Sequence, residues 1–308
     1  MKLPKVYSAN EWSSLESIVV GSVLGACWPD HDPVFKLEKQ RTLWKETPLP
    51  SGPVAQHVIE ESEEDLDGLA DLLTNQGVTV HRPQYRDFSE TNGMYNYCPR
   101  DRLLVADETV VDCAMMYPCR NQEIETLEHV LHDVPVLKMP RDQGMVLDAA
   151  NVCRLGDTWL FLESNSGNHA AYTWLCEQFP EKTIEKVNFY AGVHIDSTIC
   201  AINENTALVN AHRVQVDQLP KALQDWNIIW VDDVVAQDFY EYPYASKWIA
   251  MNVLSVDSRT VVVDRKQDRL INTLERNNFT VIPHELRHSR TLGGGFHCVT
   301  LDLKRQHV

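Results

Sequence analysis

One pattern returns roughly every fifty residues along this chain, a spacing that repeat architectures produce. Two short β-rich runs flank a polar turn in LLVADETVV from Leu103, VCRLGDTWLFL from Val152, ICAINENTALV from Ile199 and VLSVDSRTVVV from Val253. The turns Ala106-Asp107-Glu108, Gly156-Asp157, Asn203-Glu204-Asn205 and Asp257-Ser258-Arg259 suit tight hairpins. A fifth apolar run begins at Val299 without a following partner, and its natural mate is SIVVGSV from Ser17, at the other end of the chain.

Segments with helical spacing follow most hairpins. Leu66, Leu69 and Leu73 form one apolar stripe, Ile124, Leu127 and Leu131 a second, and Leu270, Ile271 and Leu274 a third. Single strand-like runs come next: GVTVHRP from Gly77, VPVLKMP from Val134, NIIWVDD from Asn227 and FTVIPHE from Phe279. Hairpin, helix and strand, repeated about five times with the first and last strands closing the ring, predict a propeller-like α/β assembly in one domain. Periodicity alone does not separate this from an open α/β sheet decorated with hairpins.

Composition narrows the function class. The 308 residues, 44% hydrophobic and 23% charged, describe a globular chain with a substantial core. The formal charge of −16, from 44 acidic and 28 basic residues, repels phosphate backbones and anionic lipid and mildly favours a cationic small substrate. No run has signal-peptide or membrane-span character, so a cytoplasmic address is expected. The eight cysteines are scattered without a CxxC pair and read mostly as buried reduced thiols. Without zinc-type spacing, GxGxxG or P-loop, no cofactor is expected.

What precedes each hairpin is informative. CPRD places Asp101 before the first, VLDAAN places Asp148 before the second, HIDST places His194 and Asp196 before the third, and GGGFHC places Cys298 before the last run. In a ring of repeats, equivalent strand ends converge on the axis, and these five side chains would share one pocket. Taken singly, an Asp before a strand is usually a turn former and a Cys usually packing. Repetition at one place in the unit favours a site. A thiolate is a strong nucleophile, an imidazole shuttles protons, and paired carboxylates suit the forked N–H donors of a guanidinium. The implied electrophile is a guanidinium carbon. Gly293, Gly294 and Gly295 allow close backbone approach before Cys298, or form a plain flexible turn.

At these residues the chain resembles the amidinotransferase family, which includes the arginine:glycine and arginine:inosamine-phosphate enzymes. The resemblance runs through EWSSLESIVVGS, GVTVHRP, CPRDRLLV, LDAAN, HIDST, SKWIAMNVLSVD and LGGGFHCVTLDLKR, in that order. It implies the pentein fold, a pseudo-symmetric five-module α/β propeller, with residues 1–308 as a single catalytic domain. It further implies that Cys298 is the nucleophile, His194 the general acid/base and Asp148 the carboxylate paired with it. Asp101 and Asp196 are implied clamps on the guanidinium, and Arg213 in NAHRV the holder of the donor's carboxylate. Ser246 matches one of two adjacent substrate-contacting serines, and the other position is Ala245.

The resemblance also shows departures. The stretch between CPRD and LDAAN is shorter than in the creatine-pathway enzyme, and Ala191-Gly192-Val193 stands where the glycine-using enzyme carries Asn-Pro-Met before the histidine. Glycine is therefore expected to be a poor acceptor, and a longer amine a better one. The implied activity is transfer of arginine's amidino group through a covalent amidino-cysteine, releasing ornithine. The alternatives are a guanidino-group hydrolase of the same fold and a non-catalytic guanidino-compound binding protein. The FHC motif favours transfer. Expected partners are small-molecule substrates and, as a homodimer, a second copy of the chain, with neither nucleic acid nor membrane.

Overall fold

The computed structural model describes residues 5–32, 34–35, 48–190, 192 and 194–307. All four expected hairpins form, and each adds a third strand parallel to its second: Leu103–Ala106, Thr109–Asp112 and Val136–Lys138; Val152–Leu155, Thr158–Leu162 and Thr183–Val187; Ile199–Asn203, Thr206–Asn210 and Asn227–Val231; Leu254–Ser255, Thr260–Asp264 and Thr280–His284. The fifth sheet joins the two ends of the chain. Strand Leu15–Val20 lies antiparallel to Thr300–Arg305, with Val20 opposite Thr300 and Ile18 opposite Asp302, and parallel to Thr79–His81. That closure decides for the propeller over the open sheet.

A parallel third strand requires a crossover. Helices Gln56–Asn75, His169–Gln178 and Asp268–Arg276 supply three of them. The stripes Leu66, Leu69, Leu73 and Leu270, Leu274 are their buried faces, as the spacing predicts. The stripe at Ile124, Leu127 and Leu131 instead splits into a 3-10 segment, Glu123–Leu127, and one α-turn, Glu128–Leu131. Asp133, in the left-handed region at φ 62°, turns the chain toward the next strand soon afterwards. Helix His169–Gln178 and strand Thr183–Val187 show no period in the sequence, because the helix spreads its apolar residues around its circumference and the strand has only Ile184 and Val187.

The hairpin strands read as continuous apolar runs for a physical reason. Successive side chains point to opposite faces of a strand, and here both faces are seams between modules. Leu103 and Val105 pack with Val19, Leu301 and Leu303, whereas Leu104 and Ala106 pack with Val152, Trp159 and Phe161. Cys153 and Leu160 meet Ile199 and Ala201 in the next seam, and Cys200 and Ile202 meet Val253 and Val261 in the one after. The fifth seam contains Leu254, Val262, Ile18 and Cys298. No helix among the described residues is long and apolar enough to cross a membrane.

Polar residues fill part of the interior. Arg154 is bidentate to Glu11, at 3.0 and 2.8 Å, and also bonds Asp302 at 2.9 Å. Arg100 and Arg305 bind the same Asp302. All five groups are at least nine-tenths buried. Buried ion pairs contribute little net stability, but removing one partner costs about 3–5 kcal/mol. The network therefore fixes how the modules meet more than it stabilises the fold.

Candidate active site

The module starts bring the sequence-identified residues together. Asp101 lies in the helical turn Pro99–Arg102 that runs into the strand at Leu103. Asp148 stands at the N-terminus of the 3-10 turn Ala149–Asn151, just before Val152. Asp196 and Cys298 precede their strands by three and two residues. Cys298, Asp101, Asp148 and Asp196 are 1%, 2%, 2% and 5% exposed, so the floor of the site is covered from bulk solvent. The His194 side chain, 15% exposed, is its more open member.

His194 sits between two carboxylates. Its Nε2 is 3.0 Å from Asp148 Oδ2, and its Nδ1 is 3.5 Å from Asp101 Oδ1. The other Asp148 oxygen accepts the Met116 N–H at 2.9 Å, which fixes that carboxylate. Burial would depress the imidazole, but the Asp101 charge, then the hydrogen bonds to Asp148 and Cys298, raise it well above its usual range. His194 itself adopts φ 45°, uncommon for a residue with a Cβ. The Tyr190 hydroxyl donates to its carbonyl and holds that conformation.

The Cys298 thiol lies 3.3 Å from Asp196 Oδ2. A hydrogen bond with Cys98, then burial and the Asp196 charge, push this thiol well above its usual range, against the pull of His194. The two shifts run the same way, favouring the protonated ring of His194 and the protonated thiol of Cys298.

Asp101 and Asp196 share a further feature. Arg120 Nη1 donates to Asp101 Oδ2 at 2.7 Å, and His297 Nδ1 lies 2.9 Å from Asp196 Oδ2. Each carboxylate thus has these hydrogen bonds on one oxygen, while Asp101 Oδ1 faces His194 Nδ1 at 3.5 Å. The other oxygens, Asp101 Oδ1 and Asp196 Oδ1, are buried and lack a hydrogen-bond partner among the described residues. An unpaired buried acceptor is costly, and forked N–H donors are what two such acceptors fit. Burial raises Asp101 against the opposing charges of His194 and Arg120. For Asp196, burial pushes upward too, but the hydrogen bond and charge of His297 hold it below the usual carboxylate range.

Arg213 stands at another part of the same module. Its Nη1 donates to Ser197 Oγ and Thr198 Oγ1 at 2.9 Å each, its Nη2 donates to Ser246 Oγ at 3.2 Å, and its guanidinium lies 5.0 Å from the Tyr190 ring centroid. These oxygens are all neutral, so they orient the cation without neutralising it, as an anion-binding arginine requires. Arg213 and Ser246 are therefore neighbours. Ala191 and Val193, of the departure before His194, lie outside the described residues.

Four partners escaped the sequence reading. Asn252, just before the fourth hairpin, accepts the Cys298 N–H at its Oδ1 and donates from Nδ2 to the Asp196 carbonyl, both at 3.0 Å. The repeat itself pointed to it, since it holds the position before its hairpin that the catalytic candidates hold before theirs. Arg120, which Glu123 grips through both oxygens, anchors Asp101. Glu11 and His297 stand behind Asp196. Neither Arg120 nor Glu11 carries a local signal, because their partners are distant in sequence. Of the glycines, Gly293 adopts φ 84°, and a Cβ on Gly294 would fall 2.5 Å from Cys98 Sγ and 3.2 Å from Cys298 Cβ. These two are packing and conformational requirements rather than a loose turn.

Comparison with known proteins bears on the chain as a whole. No family profile matches the chain. The inosamine-phosphate amidinotransferase 1 of Streptomyces glaucescens is 37% identical over 334 residues, covering 96% of this chain and 95% of that one. The solved inosamine-phosphate amidinotransferase of Streptomyces griseus superposes with a TM-score of 0.90 at 34% identity, covering 99% of this chain and 98% of that one. The DDAH structure from Pseudomonas aeruginosa, in complex with citrulline, matches at a TM-score of 0.66 and 15% identity over 94% of this chain and 99% of that one, a likeness of fold alone. With a pentein fold and full-length likeness at more than a third identity, this chain belongs to the amidinotransferase family.

Proposed function

We propose that this enzyme, acting as one catalytic domain, moves the amidino group of L-arginine to an amine acceptor through a covalent amidino-Cys298. Two buried carboxylate oxygens without a hydrogen-bond partner among the described residues, Asp101 Oδ1 and Asp196 Oδ1, together with a covered thiol 3.3 Å from the Asp196 carboxylate, are the observation that carries this reading. The guanidinium bridges them, and its positive charge offsets the anionic surroundings that keep the thiol protonated. Sγ then bonds to the guanidinium carbon. The bond from that carbon to Nε breaks, and His194 gives Nε a proton that the thiol proton replaces. A neutral thiol and a guanidinium thus become an S-amidino cation and the neutral δ-amine of ornithine. In the second half the acceptor amine bonds to the amidino carbon, the S–C bond breaks, and the amine's proton returns through His194 to sulfur. Asp148 orients the imidazole throughout. Arg213, with Ser246, takes the donor's α-carboxylate.

Burial of Cys298 supports transfer over hydrolysis, since water must be kept from the amidino-thiol until an amine arrives. We further infer an acceptor bulkier than glycine. Ala245 offers no hydroxyl where the family carries a second serine, and the Streptomyces glaucescens relative is named for an inosamine phosphate. The test is incubation with arginine and a panel of amines, including glycine, β-alanine, lysine, aliphatic diamines and a phosphorylated aminocyclitol, with products read by mass spectrometry. Glycine as the best acceptor would refute the acceptor inference. Arginine turned over without amidination of any amine would refute transfer.

A further inference from the structure

His297, immediately before the nucleophile, meets the same Asp196 oxygen as the Cys298 thiol, Oδ2. His297 lies between two buried carboxylates, with Nδ1 2.9 Å from Asp196 Oδ2 and Nε2 3.1 Å from Glu11 Oε2. Both ring nitrogens therefore face acceptors, an arrangement that only the doubly protonated ring satisfies. Glu11 is in turn fixed by Arg154, which bonds both its oxygens. Behind the pair, Glu11, Asp196, His297 and Ser255 contribute to a cavity with room for about one water.

We propose that His297 is a positioning residue for arginine recognition: pinned from behind by Glu11, it holds one oxygen of Asp196 so that the other faces the donor's guanidinium. This rests on the reading of Asp196 as a guanidinium clamp. The geometry separates two demands that one carboxylate cannot meet alone. Asp196 has to be desolvated to grip a planar cation, and desolvation favours its protonation and rotation. A cationic ring on Oδ2 counters both, leaving Oδ1 charged and aimed. The charged groups facing His297 are Asp196 and Glu11, which favour its cationic form, and Arg100, whose Nε donates to the His297 carbonyl at 3.1 Å and which opposes that form. On balance the ring is held above its usual range. The Asp101 side of the site is built likewise, with Arg120 behind the carboxylate and Glu123 behind Arg120.

A double-mutant cycle tests the inference, read as the dissociation constant for arginine in a Cys298→Ala background where binding stops before chemistry. His297→Gln is expected to weaken binding about tenfold, the order of one charge-assisted hydrogen bond. In an Asp196→Asn background the same change is expected to cost no more than about twofold, because its route to the ligand has been removed. Equal losses in the two backgrounds would overturn the inference and leave His297 as ordinary packing. Histidine NMR on the unaltered protein gives a second reading that does not depend on any variant folding. The His297 ring should be protonated at neutral pH, and a neutral ring there would equally overturn the proposal. Failure of the Cys298→Ala protein to bind arginine at all would instead strike at the arginine-based function itself.

Discussion

Asn252 accepts the backbone N–H of Cys298 at 3.0 Å, from a position in its own module equivalent to that from which Asp101, Asp148 and Asp196 enter the site. Four modules thus present a carboxylate or carboxamide to the site, and the module that closes the ring presents the thiol. Only the carboxamide carries both an acceptor for the Cys298 N–H and a donor for the Asp196 carbonyl. Asn252→Ala should leave the Cys298 N–H unpaired, at a cost of about 1–3 kcal/mol, and leave the Asp196 carbonyl with only the Cys200 thiol, at 3.0 Å. Denaturant unfolding and kcat should both fall. Unchanged stability with unchanged kcat would show that this bridge is dispensable.

The clamps can be tested by removing charge while retaining shape. Asp101→Asn and Asp196→Asn should each reduce kcat/KM for arginine at least tenfold or so, since a hydrogen bond to a charged partner contributes about 1.5–3 kcal/mol. Steady-state kinetics with arginine as the varied substrate checks this. A variant within about twofold of the unaltered enzyme would place that carboxylate outside the donor site.

Arg213 has its charge unopposed by the neutral oxygens of Ser197, Thr198 and Ser246 that orient it. Arg213→Ala should therefore penalise arginine much more than agmatine, which lacks the α-carboxylate. The ratio of the two kcat/KM values is the measurement, and equal losses would mark Arg213 as structural.

Thiol reactivity should follow pH in a defined direction. The Cys298 thiol is held above its usual range by Cys98, by burial and by Asp196, so its thiolate fraction near neutral pH is below that of a free cysteine. Alkylation by a neutral reagent such as iodoacetamide should be slow at pH 7 and rise into the alkaline range. A cationic electrophile that bridges Asp101 and Asp196 offsets their charge, and its reaction should begin at lower pH. Identical pH profiles for the two reagents would contradict substrate-charge assistance.

Much of the site was legible because chemistry and repetition coincide. Asp101, Asp148, His194, Asp196 and Cys298 stand out by falling at one place in a repeating unit, and the repeat stands out because strands buried on both faces are apolar throughout. Helix His169–Gln178 and strand Thr183–Val187 were not legible, since the helix does not gather its apolar residues on one face, as Asp268–Arg276 does, and the strand carries only two. The supports for the clamps were hidden for a different reason. Arg120 in YPCRN and Glu11 in NEWSS acquire their meaning only when Asp101 and His297 are brought beside them, and 286 residues separate Glu11 from His297.

The central claim is that Cys298 carries the amidino group between two amines. Arginine supplied without an acceptor to a known concentration of sites tests it directly, with ornithine counted and the protein mass followed. The account predicts about one ornithine per site and then a stall, with the amidino adduct on the peptide containing Cys298 and none formed by Cys298→Ala. Sustained release of citrulline, or of urea with ornithine, or an adduct on any other cysteine, would contradict it.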